Sequence, residues 1–332
     1  MNDVTRSKDS KYPRGAVGDG LLEEKLKLRE AHTCDRTDGQ GEIGLAFCVK
    51  CGAELPEDAR FCPSCGTPVL EKVEEPTREH RTLKVGEKPR VVIHQRTPGR
   101  IDVKKGTDGE VLVDLDLRER RDMDWSVTQD GNVVTIRTRA LVHPLRWHRY
   151  FLSGGPRAEI SVSVPAETDL DVSTSIDQVA IAGIKGALSI ESSVGKIIIE
   201  ECEGNVRVIG KTGPIDLRNI KGTTTVDSTT GPATLENVNG TVSVRNTTGP
   251  IKFSGSLSSG ENWFRTSTGP IEIALQPQSD LKVEAYSRLG RVTCVPELTD
   301  SHYERGQYTG RLGNGTGKLI AETTIGSITI RH

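Results

Sequence analysis

The strongest constraint on the fold of this chain is a repeated tetrapeptide. Thr-Gly-Pro-Ile stands at 212–215, Thr-Gly-Pro-Ala at 230–233, and Thr-Gly-Pro-Ile again at 248–251 and 268–271. The glycines of these motifs recur at spacings of 18, 18 and 20 residues. A short fixed period belongs to stacked repeats, in which each unit buries its apolar edge against the next, and not to a closed globular fold.

Each period holds two runs of alternating apolar residues. After the motif glycines come Ile215/Leu217, Ala233/Leu235, Ile251/Phe253 and Ile271/Ile273, and Gly195 opens an earlier copy with Ile197/Ile199. A second glycine series at 186, 204, 222 and 240 precedes Leu188/Ile190, Val206/Val208, Thr224/Val226 and Val242/Val244. Period-two alternation places each pair on one face of a strand. Two such strands per period, cornered by glycines that accept positive φ, describe one coil of a single-stranded β-solenoid. In a parallel stack, equivalent residues lie about 4.8 Å apart. Glu200, Arg218 and Glu236 then form a ladder of alternating charge, and Thr212, Thr230, Thr248 and Thr268 a ladder of hydroxyls. The pattern weakens in the 20-residue period, where Asn262 replaces Val242 and Trp263 points outward. It resumes at Gly290 with Val292/Cys294, at Gly317 with Leu319/Ala321 and at Gly326 with Ile328/Ile330. Residues 296–316 break it and are expected to form a loop leaving the coil.

Composition agrees with this reading. Aromatic residues make up only 4% of the 332 while glycine contributes 35, which suits a glycine-cornered solenoid better than a helical protein. The formal net charge of −2 gives no global attraction to nucleic acid or to an anionic membrane. No stretch approaches the ~20 apolar residues of a membrane span. The first 20 residues carry no apolar signal-peptide core, so the expected location is cytoplasmic unless an upstream segment or a non-standard export route supplies the address.

Of seven cysteines, four are clustered as Phe47-Cys48-Val49-Lys50-Cys51-Gly52 and Phe61-Cys62-Pro63-Ser64-Cys65-Gly66. Two C-x2-C knuckles, each closed by glycine, can place four thiolates around one ion at ~2.3 Å. Cys48, Cys51, Cys62 and Cys65 are the predicted ligands of one structural Zn2+, and a closed four-sulfur site leaves no position for a catalytic water. A module this small gains its folding free energy from the metal. Cys202 at a coil corner and Cys294 at an inward position read as structural thiols, and Cys34 as a free one. The segment is similar to the short bacterial zinc ribbons found near protein N-termini, which serve as nucleic-acid or protein contact points. Between 48 and 76 three basic residues (Lys50, Arg60, Lys72) face six acidic ones (Glu54, Glu57, Asp58, Glu71, Glu74, Glu75), which disfavours phosphate binding.

The rest of the chain is organised around these two features. Residues 1–46 read as a disordered segment with a short helix over 21–31, 47–67 as the ribbon, and 68–82 as a Pro/Glu-rich linker. Residues 83–165 read as a strand-rich cap with a turn at Gln129-Asp130-Gly131-Asn132, and 166–332 as the solenoid. The strand-rich leader, the Asp-Gly-Asn turn, the Ser-Val-Pro-Ala entry at 163–166, the Gly-x-Ile coils and the closing Thr-Thr-Ile-Gly-Ser-Ile-Thr-Ile at 323–330 resemble the bacterial putative-adhesin β-strand-repeat family. The resemblance covers about 83–332. It implies a fold similar to right-handed β-helices and carries over no catalytic residue.

Arg146, Trp147, His148, Arg149 and Tyr150, inside Leu145–Phe151, form the densest aromatic-basic cluster of the sequence. It either stacks on a ligand, a partner or a membrane surface, or folds its aromatics onto the cap. His302, Tyr303, Arg305 and Tyr308 invite the same two readings. The outward positions Asp216, Thr234, Lys252 and Glu272 show no carboxylate pair or cation site of the kind a polysaccharide-cleaving β-helix needs. The expected function is a non-enzymatic scaffold that binds a protein or surface ligand, with the zinc ribbon as an accessory contact module. The alternatives are a polysaccharide-acting enzyme and a zinc-ribbon nucleic-acid binder, the latter disfavoured by the acidic ribbon.

Overall fold

The structure is a computed structural model that describes residues 46–48, 50–56, 59, 61–67, 77–141, 155–277 and 279–332. The expected helix at 21–31, Cys34 and the aromatic-basic cluster at 146–150 lie outside the described residues. The chain divides into two compact units, Met1–Glu74 and Glu75–His332. Apart from a 3-10 turn at Arg120–Asp122, the regular structure among the described residues is all-β.

In the first unit, β1 (Ala46–Phe47) pairs antiparallel with β2 (Glu54–Leu55). The second unit opens with β3 (Thr77–Lys84), β4 (Arg90–Arg96), β5 (Ile101–Lys105), β6 (Glu110–Arg118), β7 (Met123–Asp130), β8 (Val133–Ala140) and β9 (Arg157–Val164). The repeat region supplies β10 (Asp169–Ile176), β11 (Val179–Ala182), β12 (Lys185–Val194), β13 (Ile197–Glu200), β14 (Glu203–Thr212), β15 (Ile215–Thr230), β16 (Ala233–Thr248), β17 (Ile251–Leu257), β18 (Glu261–Thr268) and β19 (Ile271–Leu275). The chain closes with β20 (Leu281–Leu289), β21 (Val292–Val295), β22 (Thr299–Glu304), β23 (Gln307–Leu312), β24 (Gly317–Ile325) and β25 (Ile328–Arg331).

These strands stack in two parallel ladders. One runs β10-β12-β14-β15-β16-β18 and the other β11-β13-β15-β16-β17-β19. The 16-residue strands β15 and β16 take part in both and turn between them at Asn219 and Asn237, which hold φ of 54° and 53°. Asparagine tolerates this left-handed conformation better than most residues. The Asn237 side-chain amide also donates to Asn219 Oδ1 at 2.8 Å, tying one corner to the next.

The opposite corner explains the Thr-Gly-Pro motif. The Gly213 amide donates to the Thr230 carbonyl, and the Pro214 carbonyl accepts from the Ile197 amide, so the ladder continues through the corner. Proline has no N–H to give the ladder here, and the corner carbonyls of Gly231 and Gly249 accept from the Asn246 side-chain amide. Gly213 sits at φ 133°, and a Cβ on it would lie 2.0 Å from the Gly195 carbonyl oxygen of the rung below. Backbone approach as well as dihedral freedom therefore selects glycine.

The inward pairs predicted from the alternation are buried: Ile215, Val226 and Val244 are at most 1% exposed, whereas Lys252 is exposed and Thr225 half-buried. Thr224 is fully buried among them. Asn262 is buried too, and it replaces an apolar side chain without leaving an open hydrogen bond. Its Oδ1 accepts from the Val242 amide, and its Nδ2 donates to the carbonyls of Ser258, Gly260 and Lys318. Those bonds fasten the two extra residues of the long period. Trp263 points outward with the Arg265 guanidinium over its ring.

Two expectations are corrected. Residues 296–316 are not a loop: β22 and β23 form an antiparallel hairpin that pairs through β23 with β20. The region before the repeats is not only an antiparallel cap. β4/β5 and β8/β9 are parallel rungs of the same stack, and β3, β6 and β7 add the antiparallel pairings around them.

Spatial order also departs from chain order at both ends, so the stack is solenoid-like and not a simple one-way coil. β4/β5 lies between β8/β9 and β10/β11. In the same way β24/β25 lies between β18/β19 and β20/β21. The first and last rungs of the chain are each enclosed by a neighbour on both sides.

Candidate metal centre

The ribbon is built on two matching turns. Gly52 and Gly66 take φ of 71° and 70°, and their amides donate to the carbonyls of Cys48 and Cys62. The Cys48 and Cys62 amides in turn donate to the carbonyls of Ala53 and Thr67. Each knuckle thus folds its two thiols to the same side. The four Sγ atoms lie within 4.8 Å of one another, with Cys48–Cys65 at 3.6 Å and Cys51–Cys62 at 3.5 Å. A tetrahedron with arms of about 2.3 Å has edges of roughly 3.8 Å, so the sulfurs fit one tetrahedral ion. Leu55 and the buried Cys48 and Cys62 form the small core beneath.

Thr67 is a residue that sequence reasoning did not single out. It is 3% exposed, and its hydroxyl lies 3.0 Å from Cys65 Sγ. Hydrogen bonds from that hydroxyl and from the Thr67 amide lower the Cys65 thiol to about 6. The Ala53 amide acts to lower Cys51 as well, but contacts with the Cys62, Cys65 and Cys48 thiols and burial outweigh it and push Cys51 up to about 12. Thiols this close resist ionising together, and a cation among them removes that resistance. The only signal for Thr67 in the sequence is a hydroxyl two residues after the last cysteine.

Outside the ribbon, several outward carboxylates of the repeat are tied to cations on adjoining rungs. Arg218 bridges Glu200 at 3.2 Å and Glu236 at 3.1 Å, as the ladder register requires. Asp216 meets Lys196, Glu272 meets Lys252, Asp227 meets Arg207 and Glu322 meets Arg265. Thr212, Thr230, Thr248 and Thr268 align as one exposed column. The late aromatic cluster separates into two parts. Tyr308 is 7% exposed and its hydroxyl accepts from the Leu298 amide, so it is structural. Tyr303, His302 and Arg305 remain exposed around Glu304. Cys202 is buried and Cys294 half-buried, and burial pushes both thiols up.

Comparison with known proteins places these features in families. Residues 93–331 match the Toastrack DUF4097 family, and residues 47–69 match the zinc-ribbon domain. The first match spans most of the sequence, and the chain belongs to the Toastrack DUF4097 family. No curated protein matches the chain. Among solved structures it is similar to a "putative cell adhesion protein" from Clostridium sporogenes, at 10% identity and a TM-score of 0.31 over 77% of this chain and 99% of that one. A "putative adhesin" from Bacteroides fragilis aligns at 11% identity and a TM-score of 0.35, over 77% and 96% of the two chains. A "putative lipid binding protein" from Parabacteroides distasonis aligns at 12% identity and a TM-score of 0.33, over 76% and 96%.

Proposed function

We propose that the protein is a non-catalytic binding scaffold, a single-stranded β-solenoid with interleaved ends that presents its outer faces to a protein or surface ligand. The pairing of the outward carboxylates carries this reading. Glycoside cleavage needs two carboxyl groups flanking one bond, one of them free to ionise and the other to donate a proton. On the repeat, each of Asp216, Asp227, Glu272 and Glu322 faces a lysine or arginine instead. The ribbon is read as a structural zinc module held by Cys48, Cys51, Cys62 and Cys65. It serves contact and not chemistry, because four sulfurs close the coordination sphere. Phe47 and Phe61, at 54% and 62% exposed, give it two apolar contact points. Native pull-down with the full chain, run beside polysaccharide turnover assays on the same preparation, tests the scaffold reading. Saturable binding without turnover supports it. Turnover that disappears in Asp216→Asn or Glu272→Gln overturns it.

A further inference from the structure

One outward column of the first ladder differs from the rest. It holds Arg139, Arg96, Ser175, Ser193, Lys211, Thr229, Thr247, Ser267, Thr324 and Arg288 on successive rungs. Arg96 pairs directly with Arg139. Ser175 follows Arg96 one step beyond the pair Thr174↔Gln95, and the others are fixed by the paired residues on either side, such as Ser192↔Gly210 and Val194↔Thr212 around Ser193 and Lys211. All are exposed except the half-buried Ser193. Nine steps of about 4.8 Å give a row roughly 43 Å long. No member is acidic. The adjoining exposed column through Thr212, Thr230, Thr248 and Thr268 carries no charge at those four positions, and the other outward columns mix in carboxylates: Asp169 and Glu261, Asp171 and Glu284, Glu191, Asp227 and Glu322 on this ladder, and Asp102, Asp216, Glu272, Glu200 and Glu236 on the other.

The end of this row also breaks the charge rule of the stack. Arg96 lies opposite Arg139, and Arg137 stands two residues before Arg139 on the same strand. Like charges directly opposite each other destabilise a sheet. Nearby cations are paired, Arg90 with Asp171, Arg100 with Asp102 and Arg157 with Asp177. None of His94, Arg96, Arg137 and Arg139 takes part in an ion pair among the described residues, although Asp124 stands opposite Arg139 on β7. The end of the row therefore concentrates arginines that no carboxylate of the described residues neutralises, which is what a site for an external anion requires.

We propose that this row binds an extended acidic polysaccharide, one that carries carboxylates at intervals along a hydroxyl-rich chain, lying parallel to the stack axis. The proposal rests on the scaffold reading and names its ligand class. The guanidinium fork matches a carboxylate in bidentate geometry. The Ser and Thr hydroxyls between the cations both donate and accept, as sugar hydroxyls do. Nucleic acid fits less well. Duplex DNA presents a charge every ~1.7 Å, far denser than the cations of this row. Single strands are held by aromatic stacking, and the row contains no aromatic residue.

Titration calorimetry of the full chain with polygalacturonate tests this, with dextran as the neutral polymer, and oligothymidylate and inorganic polyphosphate as phosphate polymers. Binding to polygalacturonate that weakens with salt, with none to dextran, is expected. Arg96→Glu with Arg139→Glu should weaken it by about tenfold or more, since two charge-assisted contacts become repulsive. Arg81→Glu with Lys84→Glu makes the same change in net charge on the edge strand β3 and should leave binding within about twofold. Thr229→Val with Thr247→Val, which leaves every charge in place, should weaken it measurably, and thermal melts check that each variant is folded. No binding to polygalacturonate, equal loss in both charge variants, or tighter binding to oligothymidylate or polyphosphate would overturn the proposal. A protein captured equally by wild type and by the Arg96/Arg139 variant would leave the scaffold reading standing while the polysaccharide row falls.

Discussion

The enclosed last rung makes an unusual demand on the C-terminus. Consider a chain that ends at Thr316 and so lacks β24 and β25. It loses Leu319, Ile328 and Ile330, each fully buried, and the smaller Ala321. Burial of a large aliphatic side chain contributes about 1.5–3 kcal/mol, so the three alone account for roughly 5–9 kcal/mol. That is comparable to the whole stability of a typical domain, about 5–15 kcal/mol. In a nearest-neighbour stack the damage stays local. In a one-way coil, trimming the last rung would leave every earlier residue in place. Here β20 and β21 pair with the stack through β24 and β25, and β22 and β23 hang on β20. Truncation should therefore release residues 281–312 while 169–248 stays folded. Amide exchange followed by mass spectrometry reads this directly. Peptides from 281–312 should lose protection in the truncated chain, and peptides from 169–248 should keep it. Retained protection across 281–312 would mean that β20 and β21 can dock on β18 and β19, and that the order of rungs is not fixed by their side chains.

Elemental analysis should find one zinc per chain, lost when Cys48→Ser is combined with Cys62→Ser; undiminished metal in that variant would contradict the ligand set. Metal should also be released as pH falls, because protons compete for the thiolates. Val244→Asp places a carboxylate between Val226 and Phe264 with no cation at hand and should cost several kcal/mol in urea melts. Lys252→Thr, on the outer face, should cost about 0.5 kcal/mol or less, and equal destabilisation by the two would show the inward register to be wrong. Asn246→Ala removes the amide that donates to the carbonyls of Gly231 and Gly249 and should cost about 1–3 kcal/mol; a neutral result would mean that those corner carbonyls find other donors. Burial acts to raise the Asp280 carboxyl, but the Gly315 amide, the Thr316 hydroxyl and amide and the Asn314 amide outweigh it and hold it below the ordinary carboxylate range. Its contribution should be complete above about pH 4, the unfolded value, and vanish as pH falls through the lower folded value. Melts of wild type and Asp280→Asn should therefore differ at pH 6 and converge at strongly acid pH; a constant gap would exclude titration of this group.

The parts of this molecule that the sequence made legible are those set by local chemistry repeated at a fixed interval. Inward Val226 and Val244, the Glu200–Arg218–Glu236 ladder and the Thr-Gly-Pro corner each depend on one rung meeting an identical one. The ribbon was equally legible, because thiol spacing and a following glycine determine the knuckle. The second corner was harder to see. Glu201, Asn219 and Asn237 share the left-handed conformation, but only the two asparagines hint at it. The hairpin at 299–312 was missed because its strands are short, β22 is exposed on both faces, and β23 buries only Tyr308 and Gly310, so no aliphatic alternation marks it.

The order of the rungs could not be read from the same evidence, and the reason follows from the repeat itself. A period shows which residues share a column: Phe264, Ala321 and Ala285 all occupy the inward place that Val244 holds. It says nothing about which rung lies next to which, because any rung with apolar residues at those places can cover any other. What decides the order is the length and pairing of the connections. The chain passes from β19 beyond one rung position to β20, and the hairpin 299–312 then brings it back to fill the gap. The same interleaving at the N-terminal end, where β6 and β7 separate β5 from β8, buries the first rung as it buries the last. A stack built this way leaves neither β4/β5 nor β24/β25 at its outside, and the antiparallel strands β3, β7 and β22 add pairings beyond the parallel rungs.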